Sequence, residues 1–332
     1  MKFTLLWQWK SFPERDWIAR LFEPFTAENV FDTEHRIVFD NCVVIDACLH
    51  YQPGEYYRQF RGLNAWLVHL SEETYEGGYE KYEHFRGVIR CYWSSFFNPQ
   101  RVMHIPLGYP AGFGGNAGQP GTASRPYLWS FLGGSSRASR PEMIRAFQPL
   151  TPHFLHLTDR GAAERLGRPE YEQLLRESIF APCPMGNVNL ESYRVYEALE
   201  CGAIPIVEKR IGLDYFTGLL GSHPLPAFTN WRQAARFVEK LRGDRAALDG
   251  LQSECMDWWK AYQKSLTQRM ADFFDSPHGD EAGPCVRWRR SIPGAQAIEL
   301  MRHHTVPALA RRIKLQSLRL VQEGRVRKTW GA

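Results

Sequence analysis

Residues 178–209 read SIFAPCPMGNVNLESYRVYEALECGAIPIVEK, and this stretch decides the fold that the sequence predicts. Residues 178–182 have the apolar composition of a short buried strand, and a loop rich in Pro, Gly and Asn follows them. Residues 191–201 carry apolar side chains at helical spacing, Gly202 ends the helix, and 203–207 is a second apolar run. Strand, loop, helix and strand predict a parallel crossover unit, which binds ligands where strands end and helices begin.

Arg194 and Glu197 lie three residues apart near the start of the predicted helix, so they share one of its faces. The amino end of a helix offers free N–H groups and a partial positive charge, which suit a phosphate. A guanidinium binds phosphate through parallel hydrogen bonds, and a carboxylate accepts two hydrogen bonds from a ribose diol. The pair therefore indicates a sugar-nucleotide site. The alternative is a solvated ion pair, which the apolar neighbours of Glu197 disfavour.

The order S-x-F-A-P-C-P-x-G-N, followed by E-S-Y-R-x-Y-E-A-L-E-C-G-A-I-P-I-V, resembles the donor-site signature of exostosin-type glycosyltransferases. It is more loosely similar to fucosyltransferases and other two-domain nucleotide-sugar enzymes. The resemblance implies an α/β protein of the GT-B type, with two Rossmann-like domains facing across a cleft. It also implies that Pro184, Asn187 and Ser192 contact the donor together with Arg194 and Glu197.

The first 110 residues alternate predicted strands and helices, which is typical of a parallel sheet with helices on both faces. We predict helices at 14–22 and 73–85, and strands at 3–9, 36–47, 64–70, 87–92 and 100–105. The motifs H-L-S-E-E at 69–73, V-I-R-x-Y-W-S at 88–94 and I-P-L-G-Y at 105–109 resemble the amino-terminal half of exostosin-like transferases. The resemblance therefore extends over most of residues 64–208.

The candidate catalytic base is a carboxylate in the turn after the strand at 64–70. If the enzyme inverts the anomeric centre, as the resemblance implies, it needs one base in the acceptor domain. We expect Glu72 to face the cleft and act as that base, because Glu73 suits the first turn of the following helix. His69 and Asp46 also end predicted strands and are the substitutes. The alternative for this turn is simple helix capping by Ser71.

The second half begins after a Gly-rich segment, GFGGNAGQPGTAS at 112–124, which reads as a linker. The W-S-F-x-G strand at 129–133 leads through Gly133 into a polar turn, where Arg137 and Arg140 could hold a pyrophosphate. The resemblance implies a basic residue after this strand, and we assign that role to Arg140, with a solvated arginine at a surface turn as the alternative. Ser139 and Glu142 have the spacing of a capping box. We also predict that Asn230 caps a helix at 231–241 and that residues 244–274 form a long helix. The resemblance to two-domain transferases implies a final helix that crosses back to the first domain, and residues 256–274 are the candidate.

Three segments follow from these patterns. Residues 1–124 are the predicted acceptor-side domain with the linker, residues 125–284 the donor domain, and residues 285–332 a basic helical tail. The tail holds eleven Lys and Arg against two Glu, a local charge of +9, whereas the whole chain carries +5. A basic amphipathic helix suits an anionic membrane surface, with a solvated terminal helix as the alternative. No recognition module points to nucleic acid.

Composition narrows the class of protein and its compartment. Charged residues make up 23% and apolar residues 44%, as in soluble globular proteins, and no run reaches the length of a membrane helix. The seven Cys are scattered without a C-x-x-C pair, so we expect buried thiols in a reducing, cytoplasmic compartment. Because of the basic tail, we further expect peripheral binding at the inner face of the membrane. No clustered ligands predict a metal site, and no Asp-x-Asp occurs.

Taken with these patterns, the resemblance implies a glycosyltransferase that moves a sugar from a nucleotide-sugar donor, a UDP-sugar, to a glycan or polysaccharide acceptor with inversion. We expect no cofactor beyond that donor. Alternatives left open are a retaining transferase of the same architecture, a sugar-nucleotide epimerase or phosphorylase, and a non-catalytic glycan-binding protein that keeps the fold. The Gly-rich fingerprint of an epimerase is absent from residues 3–20.

Overall fold

The computed structural model describes residues 1–47, 54–75, 78–113, 121–158, 166–276, 282–286, 301–304, 306 and 310. Within these ranges the chain forms two parallel sheets, one from each half of the sequence. The predicted α/β architecture with two Rossmann-like units is therefore confirmed. The proposed division at residue 124 stays a prediction, although the two sheets fall on either side of it.

The amino-terminal sheet has six strands in the order β2-β1-β3-β4-β5-β6. The strands are β1 (Phe3–Trp7), β2 (Thr26–Phe31), β3 (Cys42–Ala47), β4 (Ala65–Leu70), β5 (Gly87–Arg90) and β6 (Val102–His104). Helices α1 (Arg15–Phe22) and α2 (Gly54–Arg58), and 3-10 helices at Glu23–Phe25 and Tyr79–His84, connect them. The order reverses between β1 and β3, and parallel sheets bind ligands at such a switch point.

The carboxyl-terminal sheet has five strands in the order β11-β10-β9-β7-β8, so it reverses between β7 and β9. The strands are β7 (Tyr127–Gly133), β8 (His153–Leu157), β9 (Ser178–Cys183), β10 (Ile204–Glu208) and β11 (Ala227–Phe228). The helices are α3 (Arg140–Phe147), α4 (Arg168–Arg176), α5 (Tyr193–Glu200), α6 (Tyr215–Leu220), α7 (Trp231–Leu241) and α8 (Arg245–Asp275), and a 3-10 helix spans Thr122–Ser124. The predicted crossover unit is present as β9, α5 and β10.

Helix α8 joins the two halves into one hydrophobic core. Its Trp259 stacks on Trp17 of α1 at a centroid distance of 5.9 Å. Farther along, the Phe274 ring lies 4.9 Å from the rings of both Phe3 and Trp66 in the amino-terminal sheet. These rings are buried, so their contacts stabilise the packing of the two halves of the chain against each other. The predicted return of the long helix to the first domain is confirmed.

Three local predictions are wrong. The helix expected over 73–85 is only the short 3-10 helix, because Gly78 adopts a left-handed φ of 74° immediately before it. The edge strand β2 is missing from the sequence prediction because its side chains are mostly exposed and polar. Ser139 does not cap α3 with its side chain, because its hydroxyl donates instead to the buried carboxylate of Glu208. The cap of α7 by Asn230 is confirmed, since its side chain accepts from the Gln233 N–H.

The predicted tail falls mostly outside the described residues, including the basic stretch 311–332. The six described Cys are buried and free of disulfides, and Cys48 lies outside the described residues. Across the described part of the chain, no helix combines the length and apolar character that a membrane crossing requires.

Candidate active site

A cleft of about 730 Å³ opens between the carboxyl ends of the two sheets. Its amino-terminal wall comes from residues that follow β4, β5 and β6, and its carboxyl-terminal wall from residues that follow β7, β8 and β9 and from α4 and α5. We call this space the interdomain cleft. Its polar and aromatic lining includes Glu73, Tyr92, Phe113, Arg137, Arg140, Arg168, Tyr171, Glu191, Ser192, Tyr193, Arg194 and Glu197. The cleft thus lies at the carboxyl ends of the strands, and its carboxyl-terminal wall lies at the switch point between β7 and β9, where parallel sheets present their ligands.

Gly133 ends β7 at the floor of the cleft and makes room for the Arg194 guanidinium. A Cβ on Gly133 would lie 2.7 Å from Arg194 Nη2, and its φ of +145° also favours glycine. Arg194 Nη2 donates to the Leu132 carbonyl at 2.6 Å, and its guanidinium lies 4.7 Å above the Phe131 ring. Its Nε is buried and has no hydrogen-bond partner among the described residues. The strand end and helix α5 therefore hold this cation in place at the cleft.

Four arginines line the cleft: Arg137, Arg140, Arg168 and Arg194. Arg137 Nη1 donates to Asn187 Oδ1 at 3.0 Å, so it links the loop after β7 to the loop after β9. Arg140 Nη1 lies 3.3 Å from the Gly134 carbonyl that it contacts. Guanidinium groups concentrated at the start of helices suit the two negative charges of a diphosphate.

Glu197 lies one helical turn beyond the start of α5, and its carboxyl group is buried against the cleft wall. Its Oε2 accepts the hydroxyl of Tyr171 at 2.9 Å. Burial raises the pKa of Glu197, while Arg194, the Tyr171 hydroxyl and Arg168 lower it. A carboxyl group held by one hydrogen bond at a concave surface can accept further hydroxyl groups of a ligand, such as those of a ribose.

Seven of the predicted site residues line the cleft: Glu73, Gly133, Arg140, Asn187, Ser192, Arg194 and Glu197. The other four, Asp46, His69, Glu72 and Pro184, are not part of its lining. Pro184 is buried directly after β9, so its ring supports the loop from behind. The structure therefore brings the predicted donor residues together and separates most of the predicted bases from them.

Glu72 does not line the cleft, so the expectation that its carboxylate faces the cleft is wrong. Its carboxylate is buried and accepts from Arg90 Nη2 at 2.7 Å and from the Tyr79 hydroxyl at 2.8 Å. Arg90 itself is fully buried. Glu72 is therefore paired with a buried cation in the interior of the amino-terminal domain.

The two substitute bases are also enclosed in the amino-terminal domain. Asp46 Oδ2 accepts from the Tyr57 hydroxyl at 2.7 Å and from Lys81 Nζ at 2.8 Å. His69 Nδ1 lies 2.6 Å from the Tyr82 hydroxyl. Burial lowers the pKa of His69 well below its ordinary value, and the charge of Lys81 adds to that effect. Both residues are thus parts of a buried polar network.

Glu73 lines the cleft but is held by donors from the opposite domain. Its Oε1 accepts the backbone N–H of Val188 at 2.7 Å and that of Asn189 at 3.2 Å. Glu191 of the carboxyl-terminal half also links the two domains, because its carboxylate accepts the Leu107 N–H of the other half at 2.7 Å. The Tyr215 hydroxyl of its own half donates to it at 2.5 Å. Because the donors to Glu73 come from the opposite domain, this residue ties the two domains together.

The sequence reasoning missed several residues of the cleft wall, among them Tyr92, Arg168, Tyr171 and Tyr193. Tyr171 and Tyr193 fit the inward-facing spacing of their helices, and this spacing suggested core positions. Tyr92 follows β5 with a φ of 61°, and no pattern in the sequence predicts this backbone conformation. Arg168 is the first residue of α4. A basic side chain at the amino end of a helix is unfavourable to the helix dipole, so this position could have indicated an anion-binding role.

Similarity to known proteins agrees with this architecture. A family model described as the RXYLT1 C-terminal domain matches residues 115–276. The ribitol-5-phosphate xylosyltransferase 1 of Danio rerio is 23% identical over 167 residues, which cover 46% of this chain and 38% of the relative. The chain thus spans well under half the length of this curated relative. The resemblance to exostosins in particular stays a prediction.

Two solved structures share the arrangement of the two domains. The DNA-modifying enzyme β-glucosyltransferase, studied with and without uridine diphosphoglucose, matches with a TM-score of 0.50 and 9% identity over 83% of this chain and 100% of that chain. An α1,3-fucosyltransferase with GDP-fucose matches with a TM-score of 0.50 and 12% identity over 83% of this chain and 91% of that chain. The chain therefore has the GT-B fold, and its carboxyl-terminal half is similar to the RXYLT1 C-terminal domain.

Proposed function

We propose that the chain is a glycosyltransferase that transfers a sugar from a nucleotide-sugar donor, a UDP-sugar, to a hydroxyl of its acceptor with inversion. The observation that carries this proposal is the convergence of Gly133, four arginines and Glu197 on one cleft of a GT-B fold. Similarity to a domain of a xylosyltransferase, and to folds whose solved structures include a glucosyltransferase and a fucosyltransferase, supports it.

In the proposed reaction the nucleotide lies on the carboxyl-terminal wall. Glu197 accepts hydrogen bonds from the ribose, while Arg194 and Arg140 bind the diphosphate. The acceptor oxygen forms a bond to the anomeric carbon as the bond from that carbon to the diphosphate oxygen breaks. The leaving diphosphate gains negative charge in this step, and fixed guanidinium groups stabilise that charge without reorganising.

The acceptor is proposed to enter from the amino-terminal wall, near Tyr92 and Glu73. A glycan hydroxyl is the general expectation. The curated relative is named for ribitol 5-phosphate and for xylosyl transfer. UDP-xylose and ribitol 5-phosphate therefore belong in the first substrate panel, next to UDP-glucose, GDP-fucose and simple glycans.

The test is a thermal-shift and calorimetric screen of the full chain with UDP, GDP and CMP, followed by measurement of nucleotide release from the corresponding sugars. We expect UDP to raise the melting temperature most and at least one UDP-sugar to be turned over. NMR of the product gives the anomeric configuration, and a retained configuration would replace the inverting mechanism by a retaining one. Absence of binding by all three nucleotides would contradict the proposal.

The protonation of Glu197 is expected to make donor binding depend on pH. Burial raises the pKa of Glu197, so its carboxylate gains a proton at a higher pH than an exposed glutamate does. Below the raised pKa the group is neutral and accepts the ribose hydroxyls less strongly, so affinity falls as pH falls. We expect calorimetry with UDP-glucose, whose diphosphate does not titrate in this range, to show this loss in the wild type. Glu197→Gln should bind weakly at every pH with a flat profile, and an equal slope in both proteins would contradict the assignment.

The basic tail is proposed to hold the protein at the inner, anionic face of a membrane in the cytoplasm. Each basic residue near such a surface contributes about 1 kcal/mol, so several suffice for binding that salt weakens. We expect the full chain to co-sediment with vesicles containing phosphatidylserine at low salt, and a chain lacking residues 311–332 to stay in the supernatant. Equal sedimentation of the two proteins would contradict the role of the tail.

A further inference from the structure

Glu14 is a fully buried carboxyl group immediately before α1, and no predicted role includes it. Its Oε1 accepts the Ser71 hydroxyl at 2.7 Å and the Tyr193 hydroxyl at 2.7 Å. Its Oε2 is buried as well and has no hydrogen-bond partner among the described residues. Burying a carboxylate oxygen without a partner is costly, so such a group calls for a functional reason.

The other acidic groups near this edge of the amino-terminal sheet are saturated by donors. Arg90 holds Glu72, Lys81 holds Asp46, and backbone N–H groups hold Glu73. Ion pairs in the described part of the chain do not include Glu14. Among the described residues, the carboxyl group of Glu14 has neither a cation nor a backbone N–H as a partner, and its two donors are hydroxyl groups. A proton can therefore reach Glu14 through a hydroxyl without displacing a cation or a backbone donor.

Tyr193 connects Glu14 to the interdomain cleft. It is the first residue of α5, lines the cleft beside Ser192 and Arg194, and points its hydroxyl at Glu14 of the other domain. Ser71, which provides the second hydroxyl, adopts a φ of 56°. Positive φ in a residue other than glycine costs free energy and is concentrated at functional sites. Glu14, Ser71 and Tyr193 thus form a hydroxyl–carboxyl cluster at the junction of donor helix and acceptor domain.

We propose that Tyr193 contacts the acceptor hydroxyl and passes its proton to Glu14, which orients Tyr193 and is the final proton acceptor of the transfer. This inference rests on the proposed glycosyltransferase function. As the acceptor oxygen bonds to the anomeric carbon, its proton moves to the Tyr193 oxygen, and the Tyr193 proton moves to Glu14 Oε1. The electron pair of the breaking bond stays with the diphosphate. Protons and charges balance, since one carboxylate becomes neutral and one diphosphate gains a negative charge.

The environment keeps the relay in the required starting state. Burial and the charge of Glu14 raise the pKa of Tyr193, so its hydroxyl is protonated at neutral pH and donates to Glu14. Glu14 is faced by the Ser71 and Tyr193 hydroxyls, and its charge also acts on Cys91 and Tyr92. Burial raises the pKa of Cys91 and of Tyr92, so both are neutral at neutral pH.

The experiment compares Glu14→Gln, Glu14→Asp and Tyr193→Phe with the wild type, using the UDP-sugar that the wild type turns over and following UDP release. A proton acceptor contributes about 10²–10⁴-fold to rate, so Glu14→Gln should lose that much turnover, and Glu14→Asp should recover part of it. UDP affinity, measured by calorimetry, should change less than about threefold, because charge-assisted contacts to the nucleotide remain. Glu28→Gln, an exposed carboxylate of β2, is the control and should match the wild type.

The division of the loss between kcat and KM separates a proton acceptor from a structural residue. In Glu14→Gln the loss should lie in kcat, with the KM for the UDP-sugar close to that of the wild type. Turnover equal to the wild type in Glu14→Gln or in folded Tyr193→Phe, or a loss confined to KM, would overturn the inference while the proposed function stands. If Glu14→Gln fails to fold, Tyr193→Phe and Glu14→Asp decide the question by the same criterion. A wild type that turns over no nucleotide sugar would overturn the proposed function, and this inference with it.

Discussion

Replacing Arg90 with alanine is expected to lower the free energy of unfolding by about 3–5 kcal/mol, the cost of leaving a buried charge without its partner. Arg90 Nη2 lies 2.7 Å from Glu72 Oε2, and the two side chains are 0% and 3% exposed. The guanidinium also lies 4.1 Å from the centre of the Phe97 ring. Removing the Arg90 side chain leaves the Glu72 carboxylate, and the rings of Tyr75, Tyr79 and Phe97 that surround the guanidinium, without the cation that they contact.

Urea unfolding followed by circular dichroism measures this loss. Arg36→Ala is a matched control, because Arg36 pairs with Glu34 at 3.1 Å but both side chains are mainly exposed, at 80% and 67%. An exposed pair contributes at most about 1 kcal/mol. The combined change Arg90→Met and Glu72→Leu should recover much of the stability, since it removes the buried charge together with its partner. Equal losses in Arg90→Ala and Arg36→Ala would contradict a structural role for the Arg90–Glu72 pair.

Replacing Arg194 with alanine is expected to weaken UDP binding about ten- to a hundredfold. Charge-assisted hydrogen bonds contribute roughly 1.5–3 kcal/mol each, and about 1.4 kcal/mol corresponds to a factor of ten in affinity. Arg194 is held against Leu132 and Phe131 before any ligand arrives, so little ordering opposes its contact with the diphosphate. The loss should therefore approach the upper end of this range.

Titration calorimetry at fixed ionic strength measures this affinity. Arg232→Ala, which removes an exposed arginine of α7 outside the cleft lining, is the control for a general loss of positive charge. Both variants should unfold at denaturant concentrations close to that of the wild type. If Arg194→Ala binds UDP as the wild type does, or if Arg232→Ala weakens it equally, the diphosphate site must lie elsewhere.

Much of the donor half could be predicted from sequence because its signals are local. The apolar runs that became β9 and β10 and the helical spacing of α5 lie within residues 178–209. Arg194 and Glu197 share a face of α5 whatever surrounds them, because three residues make nearly one helical turn. The Asn230 cap likewise depends on a side chain and an N–H three residues apart. The fold class and most residues of the carboxyl-terminal cleft wall that we assign to the donor were therefore accessible from the sequence alone.

The choice among acidic residues depended on tertiary contacts. Glu72 and Glu73 are neighbours, yet Arg90 draws the first into the interior, while the N–H groups of Val188 and Asn189 hold the second at the cleft. Glu14 and Tyr193 are 179 positions apart and meet because the two domains pack together through α8 and through the ties at Glu73 and Glu191. Short-range periodicity determined the crossover unit and its donor residues. Only the tertiary structure decided that Glu14 has an oxygen without a hydrogen-bond partner among the described residues, because the cations and donors that hold the other carboxyl groups come from distant segments.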